Sequence, residues 1–393
     1  MFMARWWKST VAVLLIFVVA VPVANAATWS LQSTPNPAGA THSYLYGIGC
    51  EPSSTSLCMA VGKSTTSGVD TVLAERWNGS SWALSSAVAP SGSTASTLNA
   101  VTCSTTTWCM AAGSYHASTE TLSLAELWNG TSWTIQKTAN ASGASSTVLN
   151  GISCANTTSA CTAVGYAITG GAVSAIAERW NGSSWSMQTV PLPSGSTSSE
   201  LEGVGCRGSS FCMAIGHYVN SLGERRSFSA MWNGSTWALK TVPEPLGAQE
   251  SVLLDISCTG TVVICTAAGG YYNSSSLQET LIVRWNGAEW VSQTSPNPAG
   301  SGASVLQGVV CANAESTTCG VVGDWVSEGK NVTLAEQWNG KTWSLESTPN
   351  PVGATFSALW DVMCRESTEL VCLAVGWSTS SSGSNTTLAE IRK

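Results

Sequence analysis

Charge is what this 393-residue chain has least of: Asp, Glu, Lys and Arg make up 10% of it, and only three residues are histidine. Aspartate is confined to Asp70, Asp255, Asp324 and Asp361. A calcium loop needs several acidic ligands in a short span, so that class of site is excluded. Histidines at His42, His116 and His217, each alone in its stretch of sequence, leave no justifiable Ser-His-Asp arrangement. With separate cysteine pairs they also fail to supply the four clustered ligands of a zinc site. No metal and no cofactor are therefore expected. Sixteen basic against 23 acidic residues give a net charge of −7. Such a surface is a poor partner for phosphate backbones, and nucleic-acid binding is disfavoured. Disorder is excluded by 19 Trp and a hydrophobic content of 44%.

Residues 1–26 read as a secretory signal peptide. Arg5 and Lys8 form the charged start, Val11–Val23 is the apolar stretch, and Ala24-Asn25-Ala26 is a small-x-small cleavage site. The apolar run is short for a membrane anchor, and no second long one follows it. Loss of Arg5 and Lys8 with the leader takes the net charge from −7 to −9. The expected mature protein is secreted and extracellular, a monomer with no membrane contact.

The first cysteine of a Cys-x₅₋₇-Cys pair recurs at Cys50, Cys103, Cys154, Cys206, Cys258, Cys311 and Cys364, in steps of 51 to 53 residues. Such a period is the signature of a repeat architecture. All 14 cysteines fall in these pairs, and an even count behind a leader favours disulfides. Local pairing is the economical choice, since each repeat then makes the same bond: Cys50–Cys58, Cys103–Cys109, Cys154–Cys161, Cys206–Cys212, Cys258–Cys265, Cys311–Cys319 and Cys364–Cys372.

Within one repeat, Leu45–Cys50 reads as strand a, Cys58–Gly62 as strand b, Val72–Trp77 as strand c and Ser81–Leu84 as strand d. The polar stretch Lys63–Asp70 reads as a b–c loop. Asn78-Gly79 between c and d predicts a type I′ hairpin turn. Trp-Asn-Gly occurs six times, at Trp77, Trp128, Trp180, Trp232, Trp285 and Trp338. The last strand c, Leu388–Ile391, lacks it, while a spare strand d, Thr28–Pro35, opens the mature chain. The expectation is an all-β fold: a seven-bladed β-propeller of four-stranded blades over 27–393, closed by the amino-terminal strand completing the last blade. The Gly after strand b and the Trp opening strand d resemble kelch-type repeats. The whole unit, with its Cys-x₅₋₇-Cys and Leu-Ala-Glu-x-Trp-Asn-Gly, resembles the secreted Trp-Asn-Gly repeat propellers of actinobacteria. That resemblance implies a fold much more than an activity. Kelch-like folds include copper oxidases, but three scattered histidines do not supply such a copper site.

The paired tryptophans read as packing across the hairpin. Glu75, Glu126, Glu178, Glu336 and Glu390 share one slot, and read as repeated hydrogen-bond acceptors for backbone N–H groups or an indole. Binding is expected on the b–c loops, which differ from repeat to repeat. Just past strand b they carry Tyr115, His116, Tyr166, His217, Tyr218, Tyr271, Tyr272, Trp325 and Trp377. Lys63 stands there in the first repeat, with Tyr44 and Tyr46 on its strand a, and Trp360 lies in the last. Aromatic rings beside amides and hydroxyls suit sugar or peptide, so the expected partner is an extracellular polysaccharide or protein, bound without catalysis. The alternative is a glycan-active enzyme, hydrolase or lyase, using Asp255, Asp361 and Asp324 if these acids converge. The Ser-x-Asp-x-Gly-x-x-Trp boxes of sialidase propellers are missing.

Overall fold

A computed structural model describes residues 27–51, 57–154, 158–260, 262–312, 317–366 and 370–393. The segment read as a leader lies outside them. The described residues hold 28 β-strands and no helix. In the first unit the strands Ala40–Cys50, Cys58–Thr66, Val69–Trp77 and Trp82–Ser85 pair antiparallel in chain order, a to d. The same four-stranded sheet recurs along the chain, and the last one takes its fourth strand from the other end. Trp29–Gln32 runs antiparallel to Asn385–Arg392, with Trp29 opposite Arg392. Thr28 and Lys393 also exchange backbone hydrogen bonds at 2.9 and 3.2 Å.

Arg392 stands opposite Cys372, the register that Trp77 holds opposite Cys58. It makes up for the missing tryptophan with charge-assisted bonds. Its guanidinium donates to Glu346 at 2.8 and 2.9 Å, to Gln337 at 2.7 Å and to the Leu370 carbonyl at 2.8 Å. The Trp29 indole donates to the same Glu346 at 2.8 Å.

Each strand a packs against the strand a of the next unit, and Phe356–Glu366 packs against Ala40–Cys50. Apolar side chains fill the space between neighbouring sheets. Leu45, Ile48 and Leu73 of the first unit meet Leu373, Val375 and Ile391 of the last. Leu45, Leu98, Leu149, Leu201, Leu253, Leu306 and Leu359 occupy one repeated slot and are each 0% exposed. Burying each of these side chains stabilises the fold by about 2 kcal/mol.

The residue after each of these leucines forms a β-bulge. The a–b register slips between Leu45 and Gly47, and likewise in the other six units. The strand b glycine opposite makes room for it. A Cβ on Gly62 would sit 1.9 Å from the Tyr44 carbonyl oxygen, and one on Gly165 2.0 Å from that of Val148. This is the physical content of the repeated glycine, which any side chain would push out of register.

All seven local disulfides are present, each joining strand a to strand b across six to eight residues. The c–d connection differs from the expected type I′ turn. It has four residues, 78–81 in the first unit, between paired Trp77 and Trp82. Gly79 takes positive φ there, at 96°, whereas Asn78 does not. Asn78 is used for its side chain: Oδ1 accepts the N–H groups of Ser80 and Ser81 at 2.9 Å. That is an Asx-type closure rather than a two-residue hairpin. The b–c connections also differ. The strands b run on as far as Thr66 and Ala117, and in the first unit the turn is just Ser67 and Gly68, both at positive φ.

The five repeated glutamates are all buried, and three of them act as the acceptors that their spacing predicts. Glu126 accepts from the Val88 N–H at 3.0 Å, Glu178 from the Ala139 N–H at 2.8 Å, and Glu336 from the Ser295 hydroxyl at 2.8 Å. Glu75 and Glu390 have no well-formed partner, and the Thr387 and Thr333 hydroxyls give them partial support. Burial pushes Glu75, Glu336 and Glu390 up to about 8 and Glu126 to about 7.

Candidate functional site

The bulges decide what faces the middle of the molecule. A residue inserted in strand a is unpaired in the ladder, and its side chain is turned away from the sheet-to-sheet core. The bulged residues are Tyr46, Asn99, Asn150, Glu202, Leu254, Gln307 and Trp360, and all of them line one central cavity of about 710 Å³. The seven disulfides lie further along its wall. One arc of this ring is polar: Asn99 Nδ2 donates to the Leu149 carbonyl at 2.9 Å, and Asn150 Nδ2 to the Leu201 carbonyl at 3.1 Å and to Glu202 Oε2 at 3.0 Å.

The other arc is aromatic. Trp360 and Trp377 lie 4.3 Å apart between ring centres, and Trp377 meets Tyr44 edge-on at 5.3 Å, Tyr46 at 6.1 Å and Phe356 at 5.7 Å. Tyr44 and Tyr46 stack at 6.0 Å. Lys63 sits 5.6 Å over the Tyr44 ring, and Asn385 Nδ2 donates to the Tyr44 hydroxyl at 2.6 Å. These rings come from the first and last units, and all are half-buried. Burial, first of all, and the neighbouring Tyr44 push the Tyr46 hydroxyl well above the usual phenol range.

The aromatic residues anticipated past strand b are on strands rather than on loops, and alternation splits them between the two sides of each sheet. Tyr115, Tyr218, Tyr271 and Trp325 turn toward the preceding unit and pack on its core. Tyr218 lies edge-on to Phe228 at 6.2 Å, and the Tyr271 hydroxyl donates to Glu279. His116 Nδ1 pairs with the Thr121 hydroxyl at 3.3 Å, and Tyr272 is largely solvent-facing. Trp377 joins the central aromatic cluster. Tyr166 and His217 instead approach Glu200 and Glu202.

The acids do not form a free pair. Asp255 and Asp361 follow the bulge in their units and are half-buried on the cavity wall. Val309 N–H donates to Asp255 Oδ2 at 2.7 Å, and Ile48 N–H to Asp361 Oδ2 at 2.8 Å. Each carboxylate thus caps a backbone amide of the following unit. Burial raises both, and the charge of Asp255 raises Asp361 further. Asp324 is held elsewhere, by Asn331 Nδ2 at 2.5 Å and by the Gln307 amide.

No family model and no curated protein matches the chain. Solved structures do resemble it. The GH74 xyloglucanase of Xanthomonas campestris aligns with a TM-score of 0.51 at 10% identity, over 92% of this chain and 55% of that one. AofleA from Arthrobotrys oligospora gives 0.49 at 11% identity over 81% and 88%. SapL1 lectin, solved in complex with alpha methyl fucoside, gives 0.46 at 14% over 79% and 99%. The xyloglucanase likeness establishes a β-propeller-like fold and nothing about activity.

Sequence reasoning missed the bulge ring as a set, naming Tyr46 and Trp360 but not Asn99, Asn150, Glu202, Leu254 or Gln307. It named His217 but missed Glu200 and Glu202, whose ligating atoms lie within 4.8 Å of one another and of the histidine's. A signal was available for the ring: each strand b glycine marks the point opposite a bulge.

Proposed function

We propose that residues 27–393 form one closed seven-bladed propeller of the kelch-like Trp-Asn-Gly type. It is secreted after loss of 1–26 and acts as a monomeric, non-catalytic module that binds extracellular glycan at the central cavity. Closure is supported by the pairing of Trp29–Gln32 with the last sheet and by the strand a contacts that return to the first unit. Secretion is supported by seven disulfides, which persist in oxidising compartments. No helix among the described residues is long and apolar enough to cross a membrane.

The observation that carries the glycan reading is the half-buried pair Tyr46 and Trp360 on the cavity wall, backed by Tyr44 and Trp377 and sharing the cavity with the amides of Asn99 and Asn150. Flat rings cover the apolar face of a sugar while side-chain amides take its hydroxyls. Catalysis is the second reading, favoured by the two half-buried acids whose fields meet on the cavity wall. It is weakened because each acid is spent on a backbone amide.

A glycan array with the whole protein tests both. Binding is expected, with Trp360→Ala weakening it at least about tenfold, and no turnover of the bound glycans. A blank array, or binding indifferent to Trp360→Ala, overturns the site. Turnover lost in Asp361→Asn replaces the binding module with an enzyme.

A further inference from the structure

The fourth unit carries three ligating side chains that the repeat does not need. Glu200 stands directly across from His217 in the a–b ladder, and Glu202 is the bulged residue that follows. No other unit has an acid at the Glu200 position, a glutamate at the bulge or a histidine at the His217 position. Without the bulge, Glu202 would be two full residues along the strand. The slip in register swings it beside the imidazole instead.

We propose that Glu200, Glu202 and His217 bind a divalent cation of the zinc type. His217 Nδ1 lies 3.5 Å from Glu202 Oε1, already the ~3.4 Å edge of a tetrahedron with bonds of about 2.1 Å. The remaining ligand atoms lie within 4.8 Å, so rotamer adjustment alone closes the set. His217 Nδ1 is shut off from solvent, has no hydrogen-bond partner and faces Glu202 Oε1. Glu202 is held for the task from behind: Asn150 Nδ2 engages Oε2 at 3.0 Å and leaves Oε1 toward the histidine. Such outer partners fix ligand geometry in metal sites generally.

The electrostatics agree. Burial lowers His217 to about 4, keeping the imidazole neutral and able to ligate, and burial raises Glu202 to about 7 and also raises Glu200. Arg225 is the cation whose field reaches all three groups, and Tyr166 of the preceding unit faces the two acids. One nitrogen and two carboxylates suit a borderline cation better than calcium or magnesium, which take oxygen ligands. Three protein ligands leave a position open, and Glu202 sets it on the wall of the central cavity.

The test is calorimetric titration of the metal-stripped whole protein with Zn²⁺, with Co²⁺ absorption as a reporter of coordination. One site per chain is expected. His217→Asn and Glu202→Gln should each weaken it at least about tenfold, and Asn150→Ala by roughly tenfold. The exposed Glu289→Gln should leave it unchanged. Near-UV circular dichroism checks each fold, and Glu200→Gln serves if His217→Asn unfolds. No binding at millimolar Zn²⁺, or equal affinity in the ligand variants, overturns the proposal. Neither result touches the aromatic arc, whose test uses sugars and no metal.

Discussion

Replacing Glu75 by Gln should change how stability depends on pH, and the size of the change follows from burial. Glu75 is 0% exposed, and loss of solvent raises its carboxyl from 4.5 to about 8. The unfolded chain releases this proton above about pH 4.5, whereas the folded chain keeps it until about pH 8. Folding therefore takes up a proton between those values. The stabilising contribution is complete below the unfolded value and is lost as pH rises through the folded one. A difference of about 3.5 pKa units is worth about 5 kcal/mol. Gln keeps the shape and has no proton to lose. Relative to wild type, the variant should gain about 5 kcal/mol between about pH 4.5 and 8.5. At roughly 2.1 cal/mol/K per residue that is about 6 °C in Tm. Thermal unfolding followed by near-UV circular dichroism at both pH values measures it. Parallel pH profiles for the two proteins would refute the reasoning, because they would mean that the buried carboxyl is ionised throughout.

Two further perturbations probe the frame. The double change Cys154→Ser with Cys161→Ser opens a loop with a sequence separation of 7 residues and should cost about 2 kcal/mol in denaturant unfolding. Mass measurement of fourteen free thiols in the native protein would contradict the stapled fold. Gly165→Ala would put a methyl 2.0 Å from the Val148 carbonyl oxygen and should cost about 2–3 kcal/mol. Gly143→Ala, where a Cβ meets nothing but φ is +72°, should cost only about 1 kcal/mol. Equal losses at the two glycines would dissociate glycine from bulge.

Most of the frame was legible because it repeats. A period read from cysteines gave the units, the Trp-Asn-Gly turns located strands c and d, and the spare Trp29 segment foretold the pairing of the two ends. Position alone identified Glu126, Glu178 and Glu336 as acceptors, whereas Glu75 and Glu390 are buried without a well-formed partner. The site was far less legible, for two physical reasons. A bulge inserts one residue without any fixed chemistry: Tyr, Asn, Glu, Leu, Gln and Trp all fill it here. Period-two reading past that point assigns side chains to the wrong side. Polar residues such as Ser64 and Thr65 also hid the continuation of strand b, so Tyr115 and Trp325 were placed on loops when they pack against neighbouring sheets.

The bulge ring also separates what must be kept from what is free to vary. Leu45 and its copies, the opposing glycines and the disulfides hold each sheet whatever side chain the inserted residue carries. Inward positions can therefore be diversified one at a time, as letters in a combinatorial library, most freely where the inserted side chain makes no hydrogen bond to its neighbours. A chain built this way can acquire a new ligand by drift at Leu254, an apolar side chain on the cavity wall, without first surviving a loss of folding.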